Sequence, residues 1–255
     1  MSGDAELLAR QVGWEQRSYW RNPAAAGFSF VFPVLLLVIF SSTGKNTRIQ
    51  QLGNINFTQY YIPSIVAFGI MGATFTNLAT SITFKREAGT LKRIRGSPLP
   101  PWIYLGGLIG NAVVVAILLT ALVILFGVVA YSVSLPGNIL GLVATLVFGA
   151  ACFCALGLAA TTVIPNADAA PAILNLAFFP LLFISGTFFP IDKGSLLTKI
   201  ATVFPVRHFI LATFASFDPR ARTGLRGGDL LVIAAWGAAG LIVAARRFRW
   251  VPSTA

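Results

Sequence analysis

The chain of 255 residues is 56% hydrophobic and only 11% charged. Soluble domains average about 25% charged residues, so this composition excludes a water-soluble globule and indicates a polytopic membrane protein. Lys and Arg together number 19 against 8 Asp and Glu, which makes the net charge +11. Because the bases lie between long apolar stretches, we interpret them as topology signals that also attract anionic lipid, and we expect no nucleic-acid partner.

An amphipathic segment, residues 1–23, precedes the first apolar stretch. Its apolar side chains and its arginines fall on opposite sides of a helical projection, which predicts a helix lying in the inner headgroup plane. The sequence Arg21-Asn22-Pro23 would end this helix and turn the chain into the bilayer. A plain polar tail is the alternative. The residues expected to meet lipid headgroups or to anchor the helix at the interface are Arg10, Trp14, Arg17, Trp20 and Arg21.

Six apolar stretches follow, and a membrane-spanning helix needs about 20 such residues. They cover residues 24–42, 60–84, 102–132, 137–164, 171–190 and 229–246. The predicted fold class is all-α integral membrane, with six transmembrane helices in a single domain over residues 1–255. The short segments beside the spans are more basic on the side of the termini, which predicts that both termini are cytoplasmic. The abundance of Ala, Gly, Val and Arg favours a bacterial cytoplasmic (inner) membrane.

A basic loop, residues 85–101, connects the second and third spans. Its Lys and Arg residues recur with helical spacing, and a glutamate and two apolar residues fall on the other side. This pattern predicts a short amphipathic helix that Gly96 and Pro98 end. Periodicity alone leaves two interpretations open: a basic anchor that determines topology, and a helix that docks on a cytosolic partner.

The loop at residues 191–228 carries two apolar helical faces, one on each side of Pro205. Apolar faces of this length outside the spans are typical of helices at a membrane surface. We therefore predict two short helices between the fifth and sixth spans, which lie at the outer membrane face or re-enter the membrane there.

The sequence lacks residues that several classes of transporter and enzyme need. No Lys, Arg, Asp, Glu or His lies in the apolar interior of the six stretches, which argues against an ion-coupled transporter. The single histidine, His208, excludes an HExxH zinc site, and the segment 44–47 lacks the residues of a phosphate-binding loop. We therefore expect no catalytic, metal or cofactor site on this chain, so that any ATP-driven work would depend on another polypeptide.

Five short motifs occur at particular places among the spans. They are RNP at 21–23, REAGTLKR at 86–93, SPLP at 97–100, FPLLFISGTFFP at 179–190 and FPVRH at 204–208. In this order, the motifs resemble those of the permease subunits of type-two ABC exporters, which handle antibiotics, polysaccharides and lipids. The resemblance covers nearly the whole chain, and the compact antibiotic-resistance permeases look closest.

The resemblance implies a cytosolic ABC ATPase partner in two copies. ATP and Mg²⁺ would bind to that partner and no cofactor to this chain. It also implies a second permease, identical or sister. In this family the loop after the second span is the coupling helix, which docks in a cleft of the ATPase. The residues expected to make that contact are Lys85, Arg86, Glu87, Gly89, Thr90, Leu91, Lys92 and Arg93.

The implied function is outward movement of a small amphipathic substrate that is drug-, antibiotic- or lipid-like. An uncharged lining rich in Phe suits such a substrate, although the same rings could simply face lipid. The candidate residues of the pathway or outer gate are Phe179, Phe183, Ser185, Gly186, Phe188, Phe189 and His208. Two other functions stand as alternatives: a membrane scaffold or receptor that recruits a cytosolic partner without transport, and a membrane-embedded enzyme that acts on lipid.

Overall fold

The computed structural model describes residues 2–43, 48–49, 55–188, 195–218 and 223–250. The described chain is helical apart from two short strands, which pair antiparallel with Arg48 opposite Asn56. In chain order the elements are α1 (Ser2–Trp20), α2 (Pro23–Thr43), β1 (Arg48–Ile49), β2 (Ile55–Asn56), α3 (Phe57–Met71), α4 (Leu78–Glu87), α5 (Thr90–Arg95), α6 (Pro101–Tyr131), α7 (Ile139–Ala160), α8 (Ala169–Ile184), α9 (Leu196–Ala201), α10 (Pro205–Phe217) and α11 (Gly227–Arg247). A π-helical segment, Gly72–Asn77, connects α3 and α4.

Five helical stretches in the described chain are long and apolar enough to cross a membrane. They are Ala26–Thr43, Thr58–Glu87, Pro101–Tyr131, Ile139–Ala160 and Gly227–Arg247. These stretches agree with five of the six predicted spans. The predicted span 171–190 forms the shorter apolar helix α8, whose 16 residues are fewer than a simple crossing needs.

The second span lies at the centre of the molecule. Tyr61, Ile65 and Met71 are each at most 1% exposed, and this span packs with α2, α6, α7 and α10. In contrast, α2 and α8 lie at the edge and carry exposed apolar side chains such as Phe28 and Leu176. The buried second span therefore contacts most of the other helices.

Helix α1 packs on the first half of α6. A Cβ atom added to Gly107 would lie 2.3 Å from Cγ of Gln11, and one added to Gly110 would lie 2.5 Å from Cγ2 of Val12. Small residues are needed at both positions because the two helices approach so closely. The N-terminal helix thus buries one side against the protein and leaves the other side exposed.

Helix α1, the α4–α5 junction and the end of α11 meet at one end of the molecule. Lys85 of α4 forms an ion pair with Glu15 of α1. Phe248 and Trp250, beyond α11, pack against the apolar cluster that contains Leu91 of α5. We call this end the terminal end, because both ends of the described chain lie there.

Two short helices, α9 and α10, precede α11, as the apolar faces in this segment predict. α10 begins at Pro205 and buries Phe209 and Ile210, and it packs on α3, α7 and α11. A Cβ atom on Gly149 of α7 would lie 2.1 Å from the ring of Phe209. α10 is therefore an integral part of the helical core.

Candidate functional site

The α4–α5 junction is a sharp turn followed by a short basic helix. Gly89 has a φ of 71°, a left-handed conformation that glycine adopts without strain and that lets α5 begin directly after α4. Leu91 is fully buried at 0% exposure, whereas Lys92, Arg93 and Arg95 are exposed. The amphipathic helix predicted in this loop is therefore present, with its bases on the free side.

Arg86 lies near the end of α4 and is buried, with 4% of its surface exposed. Its guanidinium donates hydrogen bonds to the carbonyl oxygens of Thr161, at 2.7 Å, and Ile164, at 2.6 Å. Thr161 is the C-cap of α7, where the carbonyls have no intrahelical donors left to pair with, and Ile164 lies three residues farther along. Arg86 therefore caps α7 from a neighbouring helix.

The residues on either side of Arg86 bind two further elements. Glu87 accepts a hydrogen bond of 2.5 Å from the backbone N–H of Ala167, in the turn before α8. Lys85 pairs with Glu15 of α1, and its Nζ lies 5.6 Å from the centre of the Tyr104 ring. We call Lys85, Arg86 and Glu87 the KRE triplet, which connects the end of α4 to α1, α7 and α8.

The sequence analysis placed all three side chains of the KRE triplet against a partner protein, and the structure shows a contact within the chain for each of them. Arg86 is buried among its own carbonyl acceptors, and the other two also bind within the chain. Sequence patterns could not show this, because the partners lie 70 to 80 residues away along the chain. The remaining residues of the expected contact are Leu91, which is buried, Gly89 and Thr90, which are half-buried, and Lys92 and Arg93, which are exposed.

The N-terminal residues predicted to meet lipid all lie on the exposed side. They are Arg10, Trp14, Arg17, Trp20 and Arg21. The guanidinium carbon of Arg17 lies 5.3 Å from the centre of the Trp14 ring, and Trp20 stacks on Phe30 of α2 at 5.4 Å between ring centres. Arginines and tryptophans on one exposed side of a helix suit the headgroup region of a membrane. The contact of these residues with lipid stays a prediction.

At the opposite end, two tyrosines of α3 hold the turn that follows α8. The hydroxyl of Tyr60 donates to the carbonyl of Gly186 at 2.6 Å, and that of Tyr61 donates to the carbonyl of Phe188 at 2.5 Å. Gly186 has a φ of 84°. The sequence analysis selected residues of this turn but missed the two tyrosines. The feature that could have indicated them is a pair of aromatic side chains with hydroxyl groups at the start of an apolar span.

The phenylalanines of this region divide into buried and exposed rings. Phe188 is buried and lies 5.2 Å from Phe183 and 5.8 Å from Phe40 between ring centres. Phe179 and Phe183 are 38% and 52% exposed, at the edge of the molecule. Phe189 lies outside the described residues.

Helix α10 supports the same turn through Arg207. Its Nη1 donates to the carbonyl oxygen of Ser185 at 3.4 Å. Burial lowers the pKa of the Arg207 guanidinium, which still carries its charge because arginine titrates far above neutral pH.

His208 joins α10 to the start of α11. Its Nδ1 lies 2.5 Å from Oδ1 of Asp229, and its Nε2 lies 2.9 Å from the carbonyl oxygen of Thr202. Nε of Arg226 lies 2.6 Å from the other carboxylate oxygen of Asp229. The sequence grouped His208 with the outer gate, and the structure gives it a buried carboxylate partner on α11.

A groove runs along one side of the second span, beside α2, α6 and α8. It consists of two adjoining cavities of about 500 Å³ and about 240 Å³. The larger cavity lies at the terminal end, beside Glu15 and Lys85, and the smaller one extends along Phe32, Phe68 and Phe178. The residues that line both are Phe28, Ser29, Ala73, Asn77 and Val115.

The π-helical segment forms part of the groove wall. Thr76 and Asn77 of this segment line the smaller cavity, and Asn77 donates to the hydroxyl of Ser29 at 3.3 Å. A Cβ atom on Gly157 of α7 would lie 3.0 Å from the carbonyl oxygen of Phe75, so glycine leaves room for the wide turn. Such segments inside α-helices are frequent at functional sites.

Comparisons with known proteins identify the family that this sequence matches. Residues 10–217 match the family model described as ABC-2 type transporter. The chain is 24% identical over 205 residues to the transport permease YvfS of Bacillus subtilis (strain 168), which covers 80% of this chain and 82% of that protein. It is 25% identical over 161 residues to the multidrug ABC transporter permease YbhR of Escherichia coli (strain K12), which covers 61% of this chain and 43% of YbhR.

Proposed function

Because the chain belongs to the ABC-2 type transporter family, we propose that it is the permease subunit of an ATP-driven exporter that moves a small amphipathic molecule outward. The molecule would be drug-, antibiotic- or lipid-like. Chains of this family are multi-pass membrane subunits of transporters that work with an ABC ATPase, and are not themselves enzymes. The observation that carries the proposal is the KRE triplet, which links the end of α4, next to the basic helix α5, to α1, α7 and α8.

The proposed topology has six crossings, with α8 as the fifth. Glu87, the last residue of the second span, binds the backbone of Ala167 just before α8. Tyr60, near the start of the same span, binds the carbonyl of Gly186 just after α8. These two contacts support a crossing by α8, because the chain between them extends from one end of the second span to the other.

The terminal end would face the cytoplasm of a bacterial inner membrane. The bases of α1 and α5 lie at this end, and so do Arg246 and Arg247 in the last turn of α11. Basic residues beside membrane spans favour the cytoplasmic side. Both termini would then be cytoplasmic, while α9 and α10 would lie at or re-enter the outer face.

The exposed side of α5 would contact the ATPase through Lys92, Arg93 and Arg95. ATP and Mg²⁺ would bind on two ATPase copies, whose closure would move α5. The KRE triplet would carry that movement to α1, α7 and α8, because its contacts join the end of α4, directly before α5, to each of them. Movement of α8 would in turn affect the turn that Tyr60 and Tyr61 hold.

The functional unit would contain a second permease, identical or sister, beside α2 and α8. Side chains at this edge are apolar and exposed: Phe28 is 65% exposed, Leu35 50% and Leu176 77%. A seam here would cover part of the groove. Two permeases and two ATPases would then form the transporter.

The test is purification of the tagged full chain from its native host in mild detergent, with mass spectrometry of the companions. We expect an ATPase with a Walker-type site at about one copy per permease. A chain that is recovered intact without an ATPase, under conditions that preserve known ABC complexes, would favour the scaffold or receptor alternative.

Charge reversal on α5 locates the contact. The double variant Lys92→Glu, Arg93→Glu should lower the ATPase recovered about tenfold or more, since like charges at an interface cost several kcal/mol. The matched control is Lys199→Glu, an exposed base on α9 at the other end of the molecule. Equal ATPase recovery in the double variant and the control would place the contact elsewhere.

A further inference from the structure

The charged residues that line the groove beside the second span both lie at its terminal end. The cavity at that end, which we call the polar cavity, contains Glu15 and Lys85, and polar side chains such as Ser18, Asn22 and Asn111 also line it. Farther along, phenyl rings dominate the lining: Phe28, Phe32, Phe68, Phe178 and Phe179. A molecule that fills both cavities therefore has a polar head and an apolar tail.

The polar cavity presents one negative and one positive charge side by side. The side chain of Glu15 is 9% exposed and that of Lys85 is 23% exposed, and Gln11 donates to the second carboxylate oxygen of Glu15 at 3.2 Å. A buried charge needs an opposite charge beside it. A ligand with a single charge would leave one of these side chains unpaired, whereas a ligand with an ammonium and a phosphate group can replace both partners at once.

Two unused acceptors lie along the same groove. Oδ1 of Asn111, in the polar cavity, and Oγ1 of Thr76, in the apolar one, are buried without a hydrogen-bond partner among the described residues. A buried acceptor without a donor is unfavourable. A ligand that supplies an N–H or O–H donor to either oxygen removes that cost.

The position of the groove indicates where such a ligand comes from. The polar cavity is bounded by α1, whose other side carries the arginines and tryptophans that suit the headgroup region. The apolar cavity continues toward the middle of the second span, beside α2 and α8. A phospholipid in the adjacent leaflet has its headgroup and its acyl chains at these same two depths.

We propose that this groove binds a zwitterionic phospholipid of the inner leaflet. Its ammonium pairs with Glu15, its phosphate pairs with Lys85, and one acyl chain lies along the phenyl rings. The assignment narrows the proposed export function to a lipid-like substrate, and it rests on that function for the direction of movement. Binding itself requires no ATPase and is tested separately.

The test is native mass spectrometry of the purified full chain, with the companions that copurify, after equilibration with equimolar dioleoyl phosphatidylethanolamine and dioleoyl phosphatidylglycerol in detergent. We expect one molecule of the zwitterionic lipid to be retained per chain at least tenfold more than the anionic lipid. Equal retention of the two lipids overturns the assignment.

Charge variants test the headgroup contacts, because each variant should change which lipid or detergent the protein retains. Glu15→Gln leaves the positive charge and should transfer the preference to phosphatidylglycerol, while Lys85→Gln should favour a single-chain cation, dodecyltrimethylammonium. A charge-neutralised control on the same helix is Glu6→Gln, whose exposed partner is Arg10. If both groove variants lose all three probes equally, the ion pair has only a structural role and the headgroup assignment fails.

A glycine variant tests the tail cavity without removing any contact. Gly72 lines the apolar cavity, and a Cβ atom there would meet no atom within 4 Å. Gly72→Leu should fill the cavity and lower retention of the zwitterionic lipid about tenfold, which corresponds to a loss of about 1.4 kcal/mol of binding free energy. Gly27→Leu is the matched control, because Gly27 of α2 also has open space but does not line the groove. Equal retention in the two variants overturns the tail assignment, and unchanged ATPase recovery then shows that the exporter function stands without it.

Discussion

A buried guanidinium such as that of Arg86 needs hydrogen-bond acceptors for its N–H groups, and its positive charge needs a negative charge or the negative end of a dipole nearby. The carbonyls of Thr161 and Ile164 supply the acceptors, and the carbonyl of Thr161 also lies at the negative end of the α7 dipole. The bond to Thr161 satisfies a backbone carbonyl that α7 cannot pair internally. One side chain thereby stabilises two helices.

Removal of this side chain should destabilise the protein. We expect Arg86→Ala to lower the free energy of unfolding by about 2–4 kcal/mol, because two charge-assisted hydrogen bonds are lost and two buried carbonyls are left unpaired. Arg86→Lys should fall between this variant and the original protein, since an ammonium cannot reproduce the two-pronged contact. The measurement is thermal unfolding in detergent.

The control for Arg86 is an exposed arginine from the same region. Arg93→Ala should change stability by no more than about 0.5 kcal/mol, as is usual for surface substitutions. A similar loss in Arg86→Ala and Arg93→Ala would show that the bonds to Thr161 and Ile164 contribute nothing to stability.

At the scale of elements, the contact of α1 with α6 depends on the small size of Gly107 and Gly110. The amphipathic pattern of α1 correctly predicted a helix ending near Arg21, but not what its inner side packs on. That side meets protein because α6 presents glycines where a larger side chain would hold α1 away. The ion pair of Glu15 with Lys85 then lies at the margin of this contact.

A larger side chain in α6 should displace α1. We expect Gly107→Val to destabilise the protein by about 1–3 kcal/mol through overpacking and to make the bonds after Arg10 and Arg17 more sensitive to trypsin. Limited proteolysis in detergent followed by mass spectrometry measures the effect.

The matched variant for this test is Gly13→Val on α1 itself, where a Cβ atom would meet nothing within 4 Å. It should leave the rate of cleavage near that of the original protein. If both variants are cleaved equally fast, α1 is not held by its packing on α6.

At the scale of the whole molecule, the contacts at the two ends of α8 determine how the last third of the chain is placed. One end meets Glu87 and the other meets Tyr60. A helix of 16 residues is about 24 Å long at 1.5 Å per residue, and the turns on either side add to this reach. If α8 crosses the membrane, α9 and α10 lie on the side opposite the terminal end.

Single cysteines distinguish a crossing by α8 from a return to the same side. With the terminal end cytoplasmic, Lys199→Cys should react with a membrane-impermeant maleimide in intact cells, whereas Asp168→Cys should react only after the membrane is permeabilised. Both positions are exposed, and the native Cys152 and Cys154 are buried. Labelling of both positions from the same side would exclude the crossing.

The sequence by itself determined the membrane class, five helices that are long and apolar enough to cross a membrane, the break after α1 and the helices α5, α9 and α10. These features follow from local composition, from helical periodicity and from Pro and Gly at helix ends, which act within a few residues. Only the tertiary structure decided which charges stay free, which residues hold the turn after α8, and where the groove lies. Lys85, Arg86 and Glu87 have the local pattern of an exposed basic loop, yet their partners are 70 to 80 residues distant. Hydrogen bonds and ion pairs depend on distances of a few ångströms in space, and the helical packing alone brings those groups together.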